Sequence, residues 1–251
     1  MPSTQDFLSL LVYAPALTHA DERTLAIVHG VERALPGLRL GWTTSERGDL
    51  IALGHRDAWV VANTMDGGLP FVCNDDDQAP VTLYGLDNPD GPGGSRQFEI
   101  HMRLPLSASV IGQAQSALAA IAEAAAAWWG EVTPFAAASD IAEQTAPTLE
   151  GPPSPPRGLP ILGMAQGVLA SPEAPQHLGW LNYWSAASAR ALGFPDTSRD
   201  AELLSRARRT DSNGWLVPLT DAPLDLDKPD HLNALLRAYE RFPNLGGRAA
   251  P

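Results

Sequence analysis

Apolar residues along this chain recur at two spacings, and the change from one to the other marks out its elements. Leu8 to Ala14 is almost continuously apolar, which predicts a buried strand. From Asp21 to Leu35 the positions Leu25, Val28, Val31 and Leu35 recur every three or four residues and predict an amphipathic helix. Asp21 and Glu22 suit its positive N-terminus, and Pro36-Gly37 stops it. Short strands follow at Leu38–Thr43 and Leu50–Leu53, with a helix or strand over Asp57–Thr64. Val81–Leu86 and Gln97–Leu104 read as a hairpin around the Gly/Pro turn Asp87–Gly94. In its second strand Phe98, Ile100 and Met102 alternate with Glu99, His101 and Arg103. Ile111, Ala114, Leu118, Ile121, Ala125 and Trp128 then form one stripe, predicting a helix over Ala108–Trp129. This order, strands grouped between two helices, predicts an α+β fold with antiparallel or mixed sheets and helices packed on one face.

Pro147 to Pro160 carries six prolines and two glycines, which excludes a helix interior or a central strand. It is a linker or an extended arm. It divides the chain into 1–146 and 161–251, two lobes of similar size or one continuous domain. Past it, Gly179–Trp184 predicts an aromatic strand. Ser185 caps a helix over Ala186–Leu192 that Gly193 stops, and another helix runs from Asp196 or Thr197 to Arg209. Trp215–Leu219 is a strand, and Pro229–Phe242 a helix burying Leu232, Leu235, Leu236 and Tyr239.

Charge sharpens this picture. The 251 residues carry a formal net charge of −12, which excludes a generally basic nucleic-acid binder and argues against an anionic membrane surface as partner. Residues 1–150 hold 19 acidic and 7 basic side chains, residues 151–251 ten of each, so the first portion carries the whole excess. Within it Asp57, Asp66, Asp75, Asp76, Asp77, Asp87 and Asp90 span a segment without Lys or Arg as far as Ser95. Such a concentration serves to dock a basic protein, to bind a divalent cation or to keep the protein soluble. The Asp-x-Asp-x-Asp-Gly loop that would favour the cation is missing. One cysteine, Cys73, excludes an internal disulfide, and with no basic leader or long apolar run it points to the cytoplasm.

Catalytic signatures are absent: no Gly-x-Ser-x-Gly, no phosphate-binding glycine loop, no His-Glu-x-x-His. The six histidines have no ligand spacing, and neighbouring carboxylates disfavour a Cys73 thiolate. No enzyme, metal or cofactor is therefore expected. Trp128, Trp180, Trp184, Trp215 and Tyr239 read as core. Arg206, Arg208 and Arg209 read as complements to a helix C-terminus.

The segments His177–Ser185, Gly193–Asp196, Arg199–Leu204, Trp215–Thr220, Ala222–Asp227 and Leu235–Pro243 resemble small myxobacterial proteins of unknown function. These are in turn similar to the immunity protein 52 family of polymorphic-toxin systems. Leu11–Pro15 through Trp42 matches only the uncharacterised group. The resemblance implies a cytoplasmic α+β protein that binds and neutralises a cognate, nuclease-like toxin, and it transfers no inhibitory residue. Carboxylates suit the Lys- and Arg-lined cleft of a nuclease, so Asp57–Asp90 is the expected contact surface. An unrecognised hydrolase with a site between the lobes, or a secretion-system accessory protein, are the alternatives.

Overall fold

A computed structural model describes residues 7–18, 21–64, 68–91, 94–162 and 171–247. In chain order the elements are β1 (Phe7–Pro15), α1 (Arg23–Ala34), β2 (Trp42–Thr44), β3 (Leu50–Ala52), α2 (Arg56–Asn63), β4 (Leu69–Cys73), β5 (Thr82–Asn88), β6 (Gln97–Pro105), α3 (Ala108–Ala124), β7 (Trp129–Pro134), α4 (Phe135–Thr145), β8 (Leu181–Trp184), α5 (Ala186–Leu192), α6 (Ala201–Arg206), β9 (Arg208–Arg209), β10 (Trp215–Pro218) and α7 (Pro229–Arg241). The ten strands form one antiparallel sheet in the order β3-β2-β4-β5-β6-β1-β7-β8-β10-β9, so the fold is α+β.

β1 lies at the centre, and its alternation sets the layers. Leu8, Leu10, Val12 and Ala14 are fully buried on the side where α1 and α3 pack against each other and the sheet. Phe7, Ser9, Leu11 and Tyr13 therefore point to the second face. Helices on one face describes the N-terminal strands. From β1 to β10 the second face is covered as well: Phe135 of α4 stacks on Phe7 of β1, and Phe194 and Phe242, just beyond α5 and α7, close edge-on against Trp184.

Local chemistry accounts for most boundaries. Arg23 grips Asp21 and donates to the carbonyls of Pro15, Ala16 and Ala125, tying the end of β1 and the start of α1 to the end of α3. Ser185 accepts from Ser188 N at the start of α5, and Gly193 ends that helix with φ 65°.

Six elements differ from the expectation. The stripe read as one helix to Trp129 ends at Ala124, because Ala126 turns into the left-handed region at φ 51° and Ala127 N bonds Ala122 O. Trp128 follows the turn and Trp129 opens β7. That strand, like α4, β4 and β9, was not anticipated. The predicted second C-terminal helix is confined to α6, since Arg208 and Arg209 pair with β10 as an edge strand.

β7 pairs with β8 across the proline-rich segment, so the sheet runs unbroken through both portions of the chain. The segment itself is an arm. Gln144 of α4 donates to the carbonyls of Pro153 and Pro155 and accepts from Arg157 N, and Arg157 clamps Asp140, Asp227 and the Leu226 carbonyl. Among the described residues no helix is long and apolar enough to cross a membrane.

Candidate functional site

The seven aspartates do not converge. Asp57 is exposed on α2, ion-paired with Arg56 and within hydrogen-bond distance of His29 Nε2 at 3.0 Å. Asp87 is paired with Arg96 at 2.8 Å. Asp75, Asp76 and Asp77 are exposed in the β4–β5 turn, where Asp76 Oδ1 accepts the amides of Gln78 and Ala79. Asp90 is exposed beyond the far end of β5, about 20 Å away for a strand of this length. Asp66 lies outside the described residues. The described members of the expected contact surface are thus spread out: a seven-residue strand separates Asp75, Asp76 and Asp77 from Asp90, and Arg56 and Arg96, which flank the segment in sequence, pair with Asp57 and Asp87. Burial and the Asp75 charge push the Cys73 thiol up, as suits an inert structural cysteine. No group of three or more candidate metal ligands occurs among the described residues.

What the fold does bring together lies on the second face of the sheet. The strand registers put Leu86, Glu99, Tyr13, Trp129, Trp184 and Trp215 in one row across β5, β6, β1, β7, β8 and β10. The neighbouring row is Tyr84, His101, Leu11, Glu131, Asn182 and Val217. The first row passes from an exposed end, where Leu86 is 51% accessible, to an aromatic interior where Trp184 is 1% accessible, and the second from half-buried Tyr84 to buried Asn182 and Val217.

Two carboxylate–histidine pairs flank Tyr13. On the covered side Glu131 is buried and meets His177 Nε2 at 2.9 Å. Burial opposes charging the imidazole, but the adjacent carboxylate outweighs it and raises the His177 pKa. The chain reaches this spot because Gly179 has no side chain: a Cβ there would fall 2.1 Å from Thr133 Oγ1 and 2.5 Å from Glu131 Oε2. Asn182 locks the same turn, accepting from Gly179 N and donating to the Gly179 and Val217 carbonyls. On the open side Glu99 accepts from Asn88 and Gln97 and lies 3.7 Å from His101. The His101 ring, helped by those amides, holds the Glu99 carboxyl below its ordinary range. His101 in turn stacks flat on Tyr84 at 4.9 Å, and Tyr84 on Phe71 at 6.3 Å. Burial, then the Glu99 and Glu131 charges, pushes the Tyr13 phenol far above its usual value, so it stays neutral.

Sequence reasoning saw the alternation of Glu99, His101 and Arg103 but not their partners, since Tyr13 and Glu131 are brought in by strand register and His177 by the turn that precedes β8. The tryptophans divide. Trp180 and Trp184 are buried, with Trp180 Nε1 donating to Thr220 O, while Trp128 and Trp215 are half-buried and Arg209 lies over the Trp215 ring at 4.3 Å. Tyr239 is buried, its hydroxyl accepting from Leu178 N. Arg206 turns away from its own helix end toward the Pro218 and Leu219 carbonyls.

Comparison with known proteins places this geometry. The chain is similar in fold to the solved structure of a Pseudomonas aeruginosa T6SS protein, PA0821, at a TM-score of 0.55 and 16% identity. The match covers 96% of this chain and 73% of that one. No curated protein matches. A family model described as a domain of unknown function, DUF5953, matches residues 19–250, so the chain belongs to the DUF5953 family.

Proposed function

We propose that this protein is an immunity-type inhibitor: it binds and neutralises the toxin of a bacterial secretion system, docking through the open half of the second sheet face. The observation that carries the reading is the open end of the two rows. There exposed Leu86 and the half-buried, stacked rings of Tyr84 and Phe71 give β5 and β4 an apolar and aromatic surface, with Glu99, His101 and Arg103 on the paired strand β6. Aromatic anchors with a polar rim are the make-up of a protein-binding surface. Two further points support it: the resemblance of residues 177–248 to toxin-immunity relatives, and the T6SS label of the structural neighbour. The net charge of −12 adds long-range attraction for a basic, nuclease-like toxin without requiring one acidic patch.

The test is co-expression with the product of the neighbouring toxin gene. Wild-type protein should restore growth and co-purify with the toxin, whereas Leu86→Arg should lose both while unfolding at an unchanged denaturant midpoint. Full protection by Leu86→Arg would reject this surface. Neutralising Asp75, Asp76 and Asp77 together should slow association and flatten its salt dependence, with a smaller effect on dissociation. The T6SS neighbour also supports a second reading, a secretion-system accessory protein. In that case the protein would co-purify with a secretion component and give no protection.

A further inference from the structure

A second feature lies at the opposite end of the molecule and is chemically unlike the rest of it. Between α6 and α7 is a cleft of about 130 Å³ lined by Arg199, Arg206, Arg237 and Arg241, with Glu202 and a floor of Leu203, Leu219, Ala234 and Ala238. Two of the arginines are held rigidly. Arg241 forms a fork onto the buried Asp200 at 2.6 and 3.0 Å and donates to Gly193 O. Arg206 donates to the Pro218 and Leu219 carbonyls. The other two are on the rim: Arg237 is 57% exposed, and Arg199 has no carboxylate within ion-pair distance among the described residues.

The protein's own Glu202 indicates what the cleft accepts. Its Oε1 is shared between Arg206 Nη2 at 3.3 Å and Arg237 Nη2 at 3.5 Å, two stretched contacts from a side chain that is 60% exposed. Against Asp200, Glu202 and Asp221, which lies 4.0 Å from Arg206, the four arginines leave a formal charge of +1, and +2 once the Glu202 carboxylate is displaced.

We infer that this cleft is a phosphate-binding site, in which a phosphate dianion takes the place of the Glu202 carboxylate between the guanidinium groups. Arginine forks match tetrahedral oxyanions geometrically, and a dianion complements the +2 charge better than one carboxylate does. The volume equals that of roughly four liquid waters, enough for a phosphate and far below the several hundred Å³ of a site for a larger organic ligand. The ligand is therefore free phosphate or the terminal phosphate of a monoester whose remainder lies in solvent.

Titration of the full chain with inorganic phosphate, followed by NMR amide shifts at ionic strength matched with chloride, tests this. Saturable shifts confined to α6, α7 and the end of β10 are expected, with a Kd of about 1 mM or tighter. Arg199→Ala combined with Arg237→Ala should weaken binding about tenfold, and Glu202→Gln should tighten it about threefold by removing the competing charge. A purely structural cleft would not gain affinity from that change. Glycerol 3-phosphate distinguishes the sources: equal affinity identifies a monoester terminus, and binding of inorganic phosphate alone identifies the free ion. Absence of saturable shifts, or a Glu202→Gln variant that binds no tighter, overturns the assignment.

Discussion

The two halves of the second sheet face are built on the same strands and the same two residue rows, yet they are finished differently. Toward β8 and β10 the row Trp129, Trp184, Trp215 is closed by Phe194 and Phe242, whose rings stand edge-on at about 5 Å. Its carboxylate–histidine pair, Glu131–His177, is short, with the carboxylate buried and the imidazole half-buried. Toward β5 the row ends on exposed Leu86, and its pair, Glu99–His101, is longer, with both partners half-buried beside Tyr84. The difference teaches that the sheet is a platform finished by the C-terminal chain on one side only. Apolar area left uncovered on rigid strands is where binding energy is available without a cost in folding stability.

The largest test of that contrast is a pair of truncations within one row. Trp184→Ala should lose about 4 kcal/mol of stability in denaturant unfolding, from lost burial and a residual cavity. Leu86→Ala, in the same row, should stay within about 0.5 kcal/mol of wild type. Equal losses would mean the open end is core after all.

Next comes the pH behaviour of the covered pair. Glu131→Gln removes the countercharge of His177 and should cost about 3 kcal/mol at mildly acidic pH. The folded pKa of His177 is raised, so its contribution in wild type is fully present below about pH 6.5 and is lost as pH rises through the raised value. Midpoints measured across that window should converge for wild type and variant toward high pH. A constant gap would show that charge is not what the pair contributes.

The smallest effect is expected at the open pair. Glu99 is held below its ordinary range, so its contribution is present above the unfolded carboxylate pKa and is lost as pH falls through the lowered one. Glu99→Gln should therefore cost about 1 kcal/mol near neutral pH and nothing in strong acid. A cost as large as that of Glu131→Gln would erase the distinction between the halves.

Much of this was legible along the chain. The alternation of Phe98, Ile100 and Met102 against Glu99, His101 and Arg103 is the two-faced strand β6, and the capping residues Ser185 and Gly193 frame α5. The end of α3 was not legible, because the turn falls inside the run Ala124–Ala127, where no glycine or proline marks it and Ala126 takes the left-handed conformation at φ 51°. β7 was hidden by the same run, and with it the bond between the two portions of the chain. The acidic segment looked like one surface because its members are close in sequence. Arg56 and Arg96, which pair with two of them, immediately precede and follow the segment, and only the β5–β6 hairpin turns Arg96 onto Asp87.

By itself the sequence determined the α+β class, most of the strands and helices, the net charge and the absence of known catalytic motifs, since periodicity, capping and composition act over a few residues. Only the tertiary structure decided that one sheet spans the whole chain, that Tyr13 lies between two glutamates, and that four arginines line one cleft. Register and helix packing join residues more than a hundred positions apart, and their energies depend on burial, which no local pattern encodes.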